Sequence, residues 1–216
     1  MMIDNGSIVL QRAGARPSPK ENEVQPRLVI FMRYPVAGQA KTRLIPALGG
    51  AGAADVHKKL SERTLATLAG DGRAVEVRIT GAPESDFVAW LGDAPVYRDQ
   101  VEGDLTDRLL DALDPAPVIF FGADTPDLAE HHVSAAIEAL KSNDVVIGPA
   151  EDGGYYLIGV AKPYRYLFED MRWSTEHVLP DTLARLAEHG ITPVLLETLN
   201  DCDRPEDLPL WPWLTA

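Results

Sequence analysis

Val118-Ile119-Phe120-Phe121-Gly122-Ala123-Asp124-Thr125-Pro126-Asp127 is the stretch whose reading decides the fold. A short run of strand formers stops at glycine and then presents a carboxylate. In an open α/β sheet, ligands bind at the carboxyl ends of the strands. A carboxylate there is well placed to hold a divalent cation that bridges to phosphate. The two aspartates separate by helix-start chemistry. Thr125 is a good N-cap and Pro126 suits the first helical position. Asp127 then falls in the first turn, where the helix dipole favours a carboxylate by roughly 0.3–1 kcal/mol. Asp127 therefore has a structural explanation. Asp124 precedes the cap, has none, and is read as a metal ligand.

Outward from this stretch, strand-like and helix-like segments alternate. Strands are expected at 27–32, 74–80, 96–97, 118–121, 144–149, 155–160 and 192–198. Helical patterns cover 51–68, 85–91, 105–113, 128–140 and 175–189, the last closed by Gly190. Within 74–80, Val75, Val77 and Ile79 alternate with Glu76 and Arg78, which predicts one wetter side. Such alternation implies an α/β fold with a mostly parallel sheet and helices on both faces. The short gap between 144–149 and 155–160 allows an antiparallel pair within it. Residues 26–216 read as one domain, and 1–25, without lasting period, as a mobile tail.

The bulk numbers exclude several classes. The chain has 216 residues, with 33 acids against 20 bases, for a net charge of −13. That argues against nucleic acid and against an anionic membrane surface. One cysteine, Cys202, excludes an internal disulfide and a zinc–cysteine site, and fits a reducing, cytoplasmic setting. No apolar run approaches the roughly 20 residues of a membrane span.

Three further constellations carry chemistry. Between Glu23 and Asp55 there is no acidic residue, yet Arg33, Lys41 and Arg43 surround a loop containing Gly38 directly after the first strand. Exposed backbone N–H groups and cations at that place suit phosphate, although neither a P-loop nor a dinucleotide fingerprint is present. The competing reading is a solvated basic loop. Glu151-Asp152-Gly153-Gly154 is either a β-turn or a loop whose glycines let a ligand approach closely. Asp152 would then touch the metal, a sugar hydroxyl or the acceptor. In Asp201-Cys202-Asp203, an extended chain points both aspartates the same way. Asp203 is a candidate second metal carboxylate, because Mg²⁺ usually takes one or two carboxylates plus phosphate oxygens. Asp207 reads as helix-end chemistry. His131 and His132 are adjacent on a helix, so they are expected not to share a face. Trp211 and Trp213 are expected to anchor the C-terminal segment.

Phe31-Met-Arg33-Tyr-Pro35-Val-Ala-Gly38-Gln-Ala-Lys41-Thr42-Arg43-Leu44 resembles the opening of a bacterial family assigned to the glycosyltransferases and filed as a domain of unknown function. That family belongs to the nucleotide-diphospho-sugar transferase superfamily, with the glycosyltransferase-A fold. Gly103-Asp104-Leu105-Thr106-Asp107-Arg108, Gly122-Ala-Asp124-Thr-Pro126, Asp152-Gly153-Gly154-Tyr155, Trp173-Ser174-Thr175 and Asp201-Cys-Asp203 are similar to its later motifs, in order, over about residues 27 to 210. Two positions depart: the family usually has lysine at Arg33 and glycine at Thr106. The resemblance implies a nucleotide site formed by Arg33, Gly38, Lys41, Thr42, Arg43, Asp104, Arg108, Gly153 and Gly154. It also implies Mg²⁺ or Mn²⁺ on Asp124, with Asp203 placed like the second metal carboxylate of related nucleotidyltransferases.

Three activities compete. The leading expectation is glycosyl transfer from a nucleotide-diphosphate sugar to a small acceptor, with Lys41 sharing the leaving-group charge and Asp152 as general base. The second is nucleotidyl transfer from a nucleoside triphosphate, releasing pyrophosphate. The Lys41-Thr42-Arg43 loop suits the larger charge of a triphosphate, and is similar to Lys-Ser-Arg loops of phospholactate guanylyltransferases. The third is a nucleotide-binding regulatory protein without turnover.

Overall fold

A computed structural model describes residues 25–216. Apart from Gln25, the tail expected over 1–25 lies outside the described residues. Seven strands form one sheet: β1 (Arg27–Arg33), β2 (Val75–Thr80), β3 (Val96–Asp99), β4 (Val118–Phe121), β5 (Val145–Pro149), β6 (Tyr155–Val160) and β7 (Val194–Leu195). Their order is β3-β2-β1-β4-β6-β5-β7. The helices are α1 (Ile45–Leu68), α2 (Glu84–Leu91), α3 (Leu105–Ala112), α4 (Glu130–Leu140) and α5 (Val178–Glu188). None of the described helices is long and apolar enough to cross a membrane.

The order of strands determines where a ligand binds. The chain runs outward from β1 through β2 to β3, then returns to the other side of β1 as β4. This reversal opens a crevice beyond the carboxyl ends of β1 and β4, the usual ligand position in such sheets. β6 alone runs antiparallel, between β4 and β5. Its beginning therefore lies at the same edge as the end of β4, and brings residues 152–154 there. β7 is parallel to β5, so the segment after it also emerges at that edge, where Ala150 bridges Leu199.

Both faces of the sheet are covered, because β4 and β5 are buried throughout and β2 and β6 at all but one position each. Ile30, Val77, Leu68 and Val133 lie in the core beneath α1 and α4. Val29, Phe120, Leu109 and Leu186 lie in the core beneath α3 and α5. A third cluster joins Leu44, Val56 and Leu60 to Trp211 and Leu214, so Trp211 does anchor the C-terminal segment. Trp213 is less buried and lies beneath the Arg63 guanidinium, 5.3 Å from ring centroid to Cζ.

Three local expectations need correction. Glu76 and Arg78 do not face water; they are 9% and 8% exposed. Glu76 accepts from Arg27 at 2.9 Å and from Arg78 at 2.6 Å, and Arg78 reaches Asp111 on α3 at 2.6 Å. The charges are paired, which lets them lie on a covered face. Second, α4 begins at Glu130 rather than 128. Residues 125–128 form a turn closed by Leu128 N–H to the Thr125 carbonyl. The Thr125 hydroxyl donates to Asp201 instead of capping, and Asp127 accepts the Trp211 indole N–H. Asp127 keeps a structural role, by a different partner from the helix dipole. Third, β7 contracts to two residues.

Candidate functional site

The loop after β1 turns through Gly38, at φ +81°, and Lys41, at φ +46°. The left-handed region is unfavourable for lysine, and such outliers concentrate at functional sites. This conformation accompanies an inward-turned side chain that is 7% exposed. The Lys41 ammonium lies 2.5 Å from Asp203 Oδ1 and 2.7 Å from Asp124 Oδ1. One cation thus joins three motifs that are distant in sequence.

Backbone contacts hold the two carboxylates in place. Cys202 N–H donates to the Asp124 carbonyl at 2.9 Å, tying the segment after β7 to the end of β4. Asp203 N–H and Arg204 N–H both donate to Asp207 Oδ2, at 3.0 and 2.8 Å. Asp207 therefore closes a turn, in keeping with a structural role. Arg43, 59% exposed, approaches Asp203 at 3.5 Å and can extend outward.

The electrostatics follow. Burial opposes charge on Lys41, but Asp124 and then Asp203 outweigh it and raise its pKa. Desolvation likewise pushes the Asp124 carboxyl up, yet Lys41, helped by His57, holds it below its ordinary value. Asp201 is different. Burial pushes it up to about 7 despite the Thr125 hydroxyl, with Asp124 and Asp152 adding repulsion. Asp124 and Asp203 are the two carboxylates that meet Lys41, and Asp201 braces the Thr125 turn.

Around this pair lie three adjoining concavities. One of about 320 Å³ is lined by Lys41, Thr42, Arg43, Asp152, Ser174 and Asp203. Asp152 thus faces the cation loop across a polar space. A second, about 330 Å³, extends from Arg43 and Asp203 past Glu151 and Thr175 to Arg204. The third, about 310 Å³, runs from Asp124 over the ends of β1 and β2, past Phe31, Thr80 and Arg108 to Gln100. Its walls are mostly apolar, whereas the other two are polar.

Gly153 explains how residue 152 reaches this place. At φ +86° it makes a turn that L side chains rarely adopt, and an added Cβ would lie 2.5 Å from the Glu176 carbonyl oxygen. Gly153→Ala is expected to push the 174–176 segment away from Asp152. Thermal unfolding should show destabilisation of about 1–3 kcal/mol, and nucleotide affinity should fall with it.

Other expected residues divide. Arg33 lines the apolar cavity, and its carbonyl meets His57 Nε2 at 2.9 Å. Arg108 lines the same cavity. Asp104 does not line it. Its carboxylate caps α3 by accepting from Asp107 N–H at 3.2 Å, within a reciprocal capping box. Gly154 N–H fixes Asp152 at 2.9 Å. Thr106, where a glycine was expected, donates to the Phe168 carbonyl and accepts from the Trp173 indole at 2.8 Å. The departure ties α3 to the 168–173 segment, whose Trp173 lines the cavity.

His57, Thr80 and Gln100 were missed. No motif surrounds them, and the cavity becomes visible only once β1, β2 and β3 are aligned. His131 and His132 also differ from expectation. Their rings are 3.8 Å apart, and both Nε2 atoms approach Glu197, at 4.0 and 3.4 Å. Ala129 N–H donates to His132 Nδ1, so the proton of the neutral ring sits on Nε2 and faces Glu197. His132 therefore caps α4 and is not poised to ligate.

The donor set at Asp124 and Asp203 suits a hard divalent cation. Two carboxylates from separate loops converge on one positive charge, at the mouth of a crevice with further cations for phosphate.

Comparisons with known proteins find the same fold. A candidate nucleotide-diphospho-sugar transferase of Desulfovibrio desulfuricans G20 is 29% identical, with a TM-score of 0.77, over 83% of this chain and 82% of that one. The inositol-1-phosphate CTP transferase of T. maritima shares the fold at 13% identity and a TM-score of 0.56, over 90% and 97% of the two chains. The 2-phospho-L-lactate guanylyltransferase of Methanopyrus kandleri is 34% identical over 111 residues, 48% of this chain and 55% of that protein. The chain thus spans about half the length of that curated relative. The family described as "Uncharacterized protein conserved in bacteria (DUF2064)" matches residues 64–175, and the chain belongs to it.

Proposed function

We propose that the protein is a metal-dependent nucleotidyltransferase that moves a nucleoside monophosphate from a nucleoside triphosphate to a small acceptor. The observation that carries this reading is the convergence of Lys41 on Asp124 and Asp203. Asp124 and Asp203 would hold Mg²⁺ or Mn²⁺, which when bound neutralises phosphate charge and polarises the reacting phosphoryl group. Lys41 and Arg43 bind the β- and γ-phosphates and stabilise the charge that builds on the leaving group. Thr42 and the N–H groups around Gly38 support the same phosphates. Arg33 and Arg108 border the nucleoside.

Asp152 holds the acceptor across from Lys41 and takes its proton. The acceptor oxygen forms a bond to the α-phosphorus, the bond from that phosphorus to the bridging oxygen breaks, and pyrophosphate leaves. Gly153 and Gly154 fix Asp152 for this role. Asp104 serves the site by capping α3, from which Arg108 projects.

Glycosyl transfer, the leading expectation from sequence, takes second place. The curated relative is named a guanylyltransferase, and three cationic or hydroxyl side chains in sequence suit a triphosphate better than a diphosphate sugar. A regulatory role without turnover would be favoured by a defective carboxylate pair, and both members are present.

The test is product analysis. Nucleoside triphosphates and nucleotide sugars are incubated with Mg²⁺ and a panel of phosphorylated and hydroxylated acceptors. Acceptor-dependent pyrophosphate release is expected. Nucleoside diphosphate release from a nucleotide sugar would establish the glycosyl reading in its place.

A further inference from the structure

Gln100 follows β3 and belongs to none of the motifs given a role above. Its amide nitrogen donates to the Arg78 carbonyl at 2.7 Å and to the Met32 carbonyl at 3.2 Å. Carbonyl oxygens only accept, so the nitrogen must face them and both of its N–H groups are spent. Its backbone is fixed too, since Gln100 N–H donates to the Ile79 carbonyl at 2.9 Å. The amide oxygen is left over. Among the described residues no hydrogen bond ends on it, and Gln100 lines the cavity that begins at Asp124. The fold thus presents one oriented acceptor whose hydrogen-bonding capacity is unspent.

The placement matches a nucleobase. Phosphates held by Lys41 lie at the β1–β4 crevice, and the base must extend to one side of it. Toward β5 and β7 the surface carries Glu151, Asp152, Asp201, Asp203 and Asp207, which suits no flat apolar ring. Toward β2 and β3 the cavity offers Phe31, Leu105 and Leu109. Leu105 is 38% exposed, an apolar side chain left uncovered at that cavity.

We infer that the Gln100 amide oxygen reads the nucleobase and that the base is guanine. This rests on the nucleotidyltransferase reading and deepens it. Guanine presents two adjacent donors, the ring N1–H and the 2-amino group. An oxygen with two lone pairs accepts from both. Adenine and cytosine set a ring acceptor beside their amino group, and uracil flanks its N–H with two carbonyls, so each brings an acceptor against the Gln100 oxygen.

The experiment measures binding of GTP, ATP, CTP, UTP and ITP in Mn²⁺ by calorimetry, with inorganic tripolyphosphate as a probe of the phosphate subsite. Wild-type protein should bind GTP about tenfold more tightly than ATP, CTP or UTP. ITP, which lacks only the 2-amino group, should bind several-fold more weakly than GTP. Gln100→Met should remove most of this selectivity and leave tripolyphosphate affinity unchanged. Equal binding of GTP, ATP, CTP and UTP, equal binding of GTP and ITP, or a preference for GTP that persists in Gln100→Met would overturn the guanine assignment alone. A failure of all five nucleotides to bind the wild-type protein would overturn it together with the nucleotidyltransferase reading. The ITP comparison needs no substitution, so it decides the matter even if Gln100→Met does not fold.

Discussion

Asp124→Asn is expected to abolish metal-dependent nucleotide binding and to lower product formation by at least about a hundredfold, while leaving the fold intact. The substitution keeps the side chain's size and removes one of two carboxylates. A lone carboxylate holds Mg²⁺ weakly without substrate phosphates. The Lys41 ammonium would keep Asp203 but lose Asp124, and so would be positioned less firmly at the crevice. The fold should survive for two reasons. The Asp124 side chain is 46% exposed at the crevice, and the hydrogen bond that ties this loop to residue 202 uses the backbone carbonyl. Mn²⁺ titration with and without nucleotide, beside a thermal unfolding curve, separates these outcomes. Unchanged Mn²⁺–nucleotide affinity would remove Asp124 from the site. A large fall in melting temperature would show that its charge has a structural role.

Glu76→Ala is expected to cost about 3–5 kcal/mol of stability, a large loss for a single change away from the site. Arg78 would keep Asp111, but Arg27 and Arg98 would lose their common partner, and a guanidinium on a covered face would be short of a carboxylate. For a domain of this size the melting temperature should fall by roughly 6–20 °C. The double change Glu76→Met with Arg78→Met should recover part of this, since removing both members of a buried pair costs far less than removing one. If the single and double variants unfold alike, the pairing is not the source of the stability.

Much of this architecture was legible in the residues. Periodicity placed the strands and helices, and the short gap before Tyr155 anticipated the antiparallel β6 that carries residues 152–154 to the ligand edge. The Gly-Ala-Asp ending of β4 located the crevice. Alternation misled at Glu76 and Arg78, because a pattern of charge marks a wet face only where no partner helix brings counter-charges. Capping chemistry misled at Thr125, whose hydroxyl found a carboxylate 76 residues away. Asp104 is a different case: its place in the site came from the resemblance, while its carboxylate accepts from Asp107 N–H three residues on, a local cap of α3. Gln100 and His57 were invisible for a related reason. Their roles depend on which backbone carbonyls the fold sets beside them, and no local pattern records that.

The central claim is that Asp124, Asp203 and Lys41 form one metal–nucleotide site. A crystal structure with Mn²⁺ and a non-hydrolysable nucleoside triphosphate tests it most directly. An anomalous manganese peak between Asp124 and Asp203 is predicted, with the triphosphate on Lys41 and Arg43 and the base toward β2 and β3. Manganese at His131, His132 and Glu197 instead, or a triphosphate bound away from Lys41, would contradict the account.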